Sequence, residues 1–194
     1  MPVRFNTTHH KRIQAIFLDR DGVIIHNRAN YVRRWEEVKF YSSSLRALQL
    51  INSLQDRPKV FLITNQSAIG RGIISVEKYL EINQKILEVI LSSGGFIDQV
   101  FFCPHAPHDN CDCRKPKPGM IIQAAVQYRI DLSQTILIGD AISDIEAGYQ
   151  GGIPNLYLVA TGRGKKQYQA ATTLSYYKQI HFHHNLLSVI KTIF

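Results

Sequence analysis

Two carboxylates one residue apart follow an apolar run near the start of the chain, in the segment Phe17-Leu18-Asp19-Arg20-Asp21-Gly22-Val23. In an extended chain, residues i and i+2 project to the same face, so Asp19 and Asp21 would lie close together. Two like charges held close are unfavourable unless a cation or a proton lies between them. The pattern therefore predicts a buried strand that ends in a divalent-metal site. The alternative interpretation is a strand that ends in a solvated Asp-Gly turn.

The elements that must position these acids are short apolar runs that alternate with helix-like segments. This alternation is typical of a parallel sheet covered by helices on both faces. The predicted strands cover residues 13–19, 58–64, 97–102, 134–139 and 154–159. The predicted helices cover residues 43–56, 75–93, 118–129 and 143–150. Residues 180–183 are predicted to form an edge strand and residues 186–194 a final helix. The prediction is an α/β fold, a Rossmann-like three-layer sandwich with a mainly parallel sheet, in a single domain over residues 1–194.

Further polar residues follow the other predicted strands, where ligands bind in sheets of this kind. Thr64-Asn65-Gln66-Ser67 offers hydroxyl, amide and backbone N–H groups to phosphate oxygens. Asp140 and Asp144 follow the fourth strand, one helical turn apart. Lys115 lies in a proline-containing loop after the third strand, and a lysine suits a phosphate dianion. Because carboxylates suit magnesium, the combination predicts phosphoryl transfer.

Each segment also has an ordinary structural interpretation. Thr64 and Asn65 could merely cap a turn. Asp144 could be a solvated acid in the first turn of a helix, and Lys115 could be a surface residue. Their coincidence at successive strand ends favours the functional interpretation.

The motifs Asp19-x-Asp21-Gly22, Thr64, Lys115 and Gly139-Asp140-x-x-x-Asp144 resemble those of the haloacid-dehalogenase-like phosphatases. The resemblance runs from about residue 12 to residue 165 and contains no insertion long enough for a large cap domain. It implies that four residues are catalytic: Asp19, Asp21, Thr64 and Lys115.

The same resemblance implies a role for each of these residues. Asp19 would be the nucleophile that accepts the phosphoryl group, and Asp21 the general acid and base. The side chains of Asp19 and Asp140 and the backbone carbonyl of Asp21 would hold Mg²⁺. Thr64 and Lys115 would stabilise charge on the transferring group. Asp144 would support the site without ligating the metal.

All three cysteines lie between Cys103 and Cys113, which indicates a metal site rather than a disulfide framework. The predicted ligands of a structural Zn²⁺ are Cys103, His105, Cys111 and Cys113. Three sulfurs and one imidazole complete a tetrahedral shell and leave no open position for catalysis. The alternatives are a reduced thiol cluster with a surface histidine, and a site in which His108 replaces His105. The zinc loop 103–113 would support Arg114 and Lys115, which follow it.

Two groups within the family carry such a loop, the histidinol-phosphate and the heptose-bisphosphate phosphatases. Residues 64–72, with the sequence TNQSAIGRG, resemble the heptose group, as does Asn30-Tyr31-Val32. This resemblance implies hydrolysis of the C7 phosphate of heptose 1,7-bisphosphate in nucleotide-activated heptose synthesis. Histidinol phosphate and other sugar phosphates are the alternative substrates. Ala141 replaces the lysine of commonly studied members, and the loop to Tyr31 is one residue longer, so the resemblance is weaker on substrate preference. The predicted substrate-binding residues are Asn27, Arg28, Asn30, Tyr31, Asn65, Gln66, Ser67, Arg71 and Arg114.

The composition agrees with an ordinary globular domain: the chain has 194 residues, of which 45% are hydrophobic and 20% charged. The net charge of +8 is scattered along the chain. A nucleic-acid-binding module or 3′-end phosphatase is the alternative of another class, but the chain lacks aromatic residues interleaved with basic ones. No apolar run has the length of a membrane helix, and residues 1–11 lack the pattern of a secretory signal. We therefore expect a cytoplasmic protein that binds neither nucleic acid nor membrane. The resemblance implies that it acts on a small phosphorylated sugar, and we expect it to be a monomer.

Overall fold

The computed structural model describes residues 12–194, so the prediction about residues 1–11 lies outside the described residues. Six parallel strands form one sheet in the order β3-β2-β1-β4-β5-β6. The strands are β1 (Ala15–Leu18), β2 (Lys59–Asn65), β3 (Gln99–Cys103), β4 (Thr135–Gly139), β5 (Asn155–Val159) and β6 (Ile180–His183). The α-helices are α1 (Ser42–Asn52), α2 (Ser67–Gly70), α3 (Val76–Ser92), α4 (Gly119–Tyr128), α5 (Ile142–Gln150), α6 (Gly164–Ala171) and α7 (Leu186–Ile193). Short 3-10 helices cover Trp35–Glu37, Pro107–Asp109, Leu132–Gln134 and Tyr177–Gln179.

Side chains that alternate along the central strands divide the core into two layers. Ile16 and Leu18 of β1 pack with apolar residues of α1, α3 and α7. Ala15 and Phe17 pack on the opposite face with apolar residues of α4, α5 and α6. All four β1 residues are fully buried, which is why the strand reads as a continuous apolar run. The predicted three-layer α/β sandwich is therefore confirmed.

The observed elements differ from the predicted ones in a few places. The first helix ends at Asn52 rather than at residue 56. The sequence prediction also missed the short helix α2 and the helix α6. In α6 only Gly164 and Ala171 are buried, so the segment has no apolar stripe at helical spacing.

Residues 19–58, between β1 and β2, form turns, one 3-10 helix and α1. This part of the described chain contains no large cap domain, as expected. Among residues 12–194 there is also no helix with the length and apolar character needed to cross a bilayer. The single domain, the monomeric state and the cytoplasmic location stay predictions.

Candidate active site

A cavity of about 560 Å³ opens at the carboxyl ends of the central strands. It contains the predicted catalytic residues Asp19, Asp21, Thr64 and Lys115, together with Asp144. Asp19 directly follows β1, Thr64 lies at the end of β2, and Asp140 directly follows β4. Because β2, β1 and β4 are neighbours in the sheet, residues from distant parts of the chain meet at one edge.

Lys115 is the buried cation at the centre of this site, with a side chain only 3% exposed. Its ammonium group lies 2.7 Å from Asp19 Oδ1 and 2.6 Å from Asp144 Oδ1, and it donates to the carbonyl of Ile63 at 2.7 Å. These three acceptors match the three N–H donors of an ammonium group. Burial opposes the charge of Lys115, but Asp144 and Asp19 raise its pKa on balance. Lys115 is therefore held as a cation.

Asp144 links Lys115 to the turn between β4 and α5. Its Oδ2 accepts hydrogen bonds from the backbone N–H groups of Asp140 and Ala141, at 3.1 and 3.0 Å. Its other oxygen faces Lys115. Asp144 is thus an acid that positions two neighbours, and the sequence interpretation of a solvated first-turn acid is wrong because the side chain is 2% exposed.

The carboxylates of Asp19, Asp140 and Asp144 form one cluster, with one oxygen of each within 4.8 Å of the others. Burial raises the pKa of Asp19 to about 8; Lys115 opposes this rise, and the neighbouring carboxylates of Asp144, Asp140 and Asp21 add to it. Burial and Asp144 also raise the pKa of Asp140. Asp19 and Asp140 are buried carboxylates whose raised pKa values oppose ionisation, and such a pair of oxygen ligands fits a hard divalent cation such as Mg²⁺.

Two glycines in left-handed backbone conformation allow the Asp140 side chain to enter this cluster. Gly22 has φ +105° and Gly162 has φ +58°. At either position, an added Cβ atom would collide with the Asp140 carboxylate. The glycine of the Asp19-x-Asp21-Gly22 motif is therefore needed for close approach as well as for its φ angle.

Asp21 lines the same cavity but lies outside the three-acid cluster. Arg20, only 2% exposed, contacts its carboxylate through Nε at 3.0 Å and Nη2 at 2.9 Å. Gln66 donates to Asp21 Oδ2 at 3.0 Å and to Thr64 Oγ1 at 2.8 Å. The guanidinium of Arg20 also lies over the Tyr79 ring, 5.4 Å from its centroid. These contacts fix the direction of the Asp21 carboxylate.

Eight of the nine predicted substrate-binding residues line the cavity, and Asn30 does not. Several of the eight make contacts that the sequence prediction did not include. Asn65 accepts from the backbone N–H of Lys115 at 3.1 Å and donates to its carbonyl at 3.0 Å, which holds the Lys115 backbone. Asn27 donates to Asp140 Oδ2 at 3.2 Å. The side-chain amides of Asn65, Gln66 and Asn27 thus position other site residues.

The four predicted zinc ligands lie together beside the cavity, with their ligand atoms all within 4.8 Å of one another. The Sγ atoms of Cys103 and Cys113 each lie 3.5 Å from Sγ of Cys111, and Cys113 Sγ lies 3.2 Å from His105 Nδ1. In a tetrahedral zinc site with Zn–S bonds of about 2.3 Å, the sulfurs are about 3.8 Å apart, so the cluster fits zinc. His108 is 78% exposed and lies outside the cluster, which argues against it as a ligand.

Arg163 is a site residue that the sequence analysis missed. It follows β5, lines the cavity and forms an ion pair with Asp140, with Nη2 3.3 Å from Oδ1. Strand-end reasoning could have found it, because Thr161-Gly162-Arg163-Gly164 comes just after the predicted fifth strand.

Comparison with known proteins finds a matching family model and relatives that are phosphatases. A family model described as HAD-hydrolase-like matches residues 112–185. D-glycero-alpha-D-manno-heptose-1,7-bisphosphate 7-phosphatase of Photorhabdus laumondii is 39% identical over 160 residues, covering 79% of this chain and 86% of the relative. D-glycero-beta-D-manno-heptose-1,7-bisphosphate 7-phosphatase of Helicobacter pylori is 40% identical over 147 residues, covering 75% of this chain and 83% of the relative.

A solved structure shows the same fold with ligands. The D,D-heptose 1,7-bisphosphate phosphatase of B. bronchiseptica, complexed with magnesium and phosphate, superimposes with a TM-score of 0.85 at 32% identity. The match covers 93% of this chain and 97% of that one. The protein described here belongs to the HAD-like hydrolases. Within that family it is similar in sequence and in fold to heptose-bisphosphate phosphatases.

Proposed function

We propose that this protein is a magnesium-dependent phosphatase that removes the C7 phosphate of D-glycero-D-manno-heptose 1,7-bisphosphate, as a step in nucleotide-activated heptose synthesis. The observation that carries the proposal is the buried cluster of Asp19, Asp140 and Asp144 next to Lys115. Relatives of 39% and 40% identity are named for this reaction, and the chain covers most of their length.

In the proposed reaction, the Asp19 carboxylate attacks the phosphorus atom in line with the leaving oxygen. The bond from phosphorus to the sugar oxygen breaks, and Asp21 gives that oxygen a proton. Asp21 then takes a proton from a water molecule, whose oxygen attacks the aspartyl phosphate. Inorganic phosphate leaves and the Asp19 carboxylate is restored.

The surrounding residues prepare these steps. Lys115 donates to Asp19 Oδ1 and thereby orients the nucleophile, while its charge favours the ionised carboxylate. Arg20 and Gln66 hold the Asp21 carboxylate by hydrogen bonds, and Asp21 lines the cavity together with Asp19. Thr64, which lines the cavity, would donate to a phosphoryl oxygen.

The residues that would hold Mg²⁺ are Asp19 and Asp140 through their carboxylates and Asp21 through its backbone carbonyl. Bound there, the ion would offset the repulsion between the nucleophile and the phosphate. We also propose a structural Zn²⁺ on Cys103, His105, Cys111 and Cys113. It would support the loop that presents Arg114, whose Nη1 donates to the carbonyl of His105 at 3.3 Å.

Two measurements test the proposal. Asp19→Asn should abolish turnover while circular dichroism and zinc content stay as in the wild type, because the amide cannot accept the phosphoryl group. Asp56→Asn is the matched control, since Asp56 is 77% exposed and pairs only with Arg12 among the described contacts. Retained turnover in Asp19→Asn would disprove the assignment of Asp19 as the nucleophile.

The second measurement compares kcat/KM for the α and β anomers of heptose 1,7-bisphosphate with kcat/KM for histidinol phosphate. We expect at least one heptose anomer to be preferred. A preference for histidinol phosphate would overturn the substrate assignment and leave the phosphatase mechanism intact.

A further inference from the structure

Asp140 is held by Arg163 through both of its carboxylate oxygens. The backbone N–H of Arg163 donates to Oδ2 at 2.8 Å, and the side-chain Nε lies 3.4 Å from the same oxygen. Asn27 donates to Oδ2 as well, at 3.2 Å. Oδ1 has a single contact among the described residues, at 3.3 Å from Nη2 of Arg163. Since Oδ2 is occupied by N–H donors, Oδ1 is the oxygen that a metal ion can reach.

The charges of the site are nearly balanced. Its four carboxylates are Asp19, Asp21, Asp140 and Asp144, and its three cations are Arg20, Lys115 and Arg163. The side chains of Arg20 and Lys115 are buried, whereas the side chain of Arg163 is 52% exposed. With all four carboxylates ionised, a divalent cation would change the net charge of the site from negative to positive, so the guanidinium next to Asp140 would then be repelled.

We propose that Arg163 and magnesium compete for Oδ1 of Asp140, and that the displaced guanidinium turns into the cavity to bind the second anionic group of the substrate. The second half of this proposal rests on the bisphosphate substrate proposed above. Metal binding would in this way complete the substrate site, and the coupling between metal and substrate would be reciprocal.

The local structure allows the guanidinium to move without the loop. The backbone N–H of Arg163 holds Asp140 independently of the side chain. The preceding residue, Gly162, donates its N–H to the hydroxyl of Tyr41 at 3.2 Å. Arg163 lines the same cavity as Arg28, Arg71 and Arg114, so the space it would enter is already positive and suited to a second phosphate.

Isothermal titration of the zinc-loaded protein with MgCl₂ tests the competition without any substrate. Because a half-exposed ion pair is weak, we expect Arg163→Met to tighten the Mg²⁺ Kd by about twofold to fivefold. Arg71→Met is the matched control: Arg71 also lines the cavity, and among the described residues it forms no hydrogen bond or ion pair with Asp140. A Kd in Arg163→Met that is unchanged, weaker, or tightened only as much as in Arg71→Met would overturn the competition.

Steady-state kinetics test the second half of the proposal, in which the displaced Arg163 side chain binds the second anionic group of the substrate. With saturating Mg²⁺, Arg163→Met should raise KM for heptose 1,7-bisphosphate several-fold and leave KM for heptose 7-phosphate unchanged, whereas Arg163→Lys should restore part of the difference. Equal changes in both KM values would overturn the substrate contact. If the wild type hydrolyses neither compound, the proposed function fails together with this half, and the Mg²⁺ titration still decides the competition.

Discussion

Replacement of Lys115 by methionine is the perturbation whose effect the structure defines best. The ammonium group is in contact with Asp19, Asp144 and the carbonyl of Ile63, all at 2.7 Å or less, and the side chain is 3% exposed. Methionine has a similar shape and no charge, so two buried carboxylates and a carbonyl would lose their shared partner. Loss of one partner from a buried pair lowers the free energy of unfolding by about 3–5 kcal/mol. For a chain of this size, that corresponds to a fall in Tm of about 6–20 °C.

The assay is urea unfolding of Lys115→Met and wild type, each with and without added MgCl₂. Mg²⁺ should recover part of the lost stability, because a cation bound to the native cluster stabilises it by mass action. The control is Lys117→Met, where a half-exposed lysine pairs at 3.0 Å with Asp112, which is 97% exposed. This control should change the free energy of unfolding by less than about 1 kcal/mol. If Lys115→Met without Mg²⁺ is as stable as the control, the described ion-pair network does not stabilise the fold.

Three further outcomes are expected. Burial tends to raise the pKa of Asp98, but its hydrogen bonds with Arg57 and the backbone N–H of Val60 lower it on balance. Asp98→Asn should therefore be about 1–3 kcal/mol less stable at neutral pH, with the difference shrinking below about pH 4 as the wild-type carboxylate takes up a proton; a difference that does not vary with pH in urea unfolding would contradict this. Gly22→Ala should lower kcat/KM by about 100-fold, because its Cβ displaces a metal-binding carboxylate, and wild-type kinetics would refute the packing argument. Cys113→Ser should reduce bound zinc below one ion per chain by elemental analysis and raise KM more than it lowers kcat; full zinc occupancy would show that the four-residue cluster is not the zinc site.

Much of the fold could be predicted because it depends on signals within short segments. The continuous apolar runs of β1 and β4 mark strands buried on both faces, and the parallel order follows from their alternation with helices. The helix α6 could not be predicted in this way, because in its sequence GKKQYQAA only two small residues, Gly164 and Ala171, are buried. Its place depends on contacts with β5 and α5 that no local pattern records.

The candidate site, like the fold, has features that local sequence signals predict and others that only tertiary contacts decide. Residue types and their positions after strands were sufficient to predict the acids, Thr64 and Lys115, because parallel strands bring their carboxyl ends to one edge. The zinc cluster was predicted from a different signal, the grouping of all three cysteines and a histidine within residues 103–113. The partner of each side chain was decided only by the tertiary structure. Asn65 holds the backbone of Lys115, and Arg163 faces Asp140 across 23 residues of sequence.

The amino-acid sequence by itself determined which chemical groups this protein has and at which edge of the sheet they gather. Strand and helix periodicity act over a few residues, so this information is local. Only the tertiary structure decided how those groups share hydrogen bonds, which of them are buried, and which cation can move. Such contacts depend on distances of a few tenths of an ångström between segments far apart in the chain, and only packing of the whole core sets those distances.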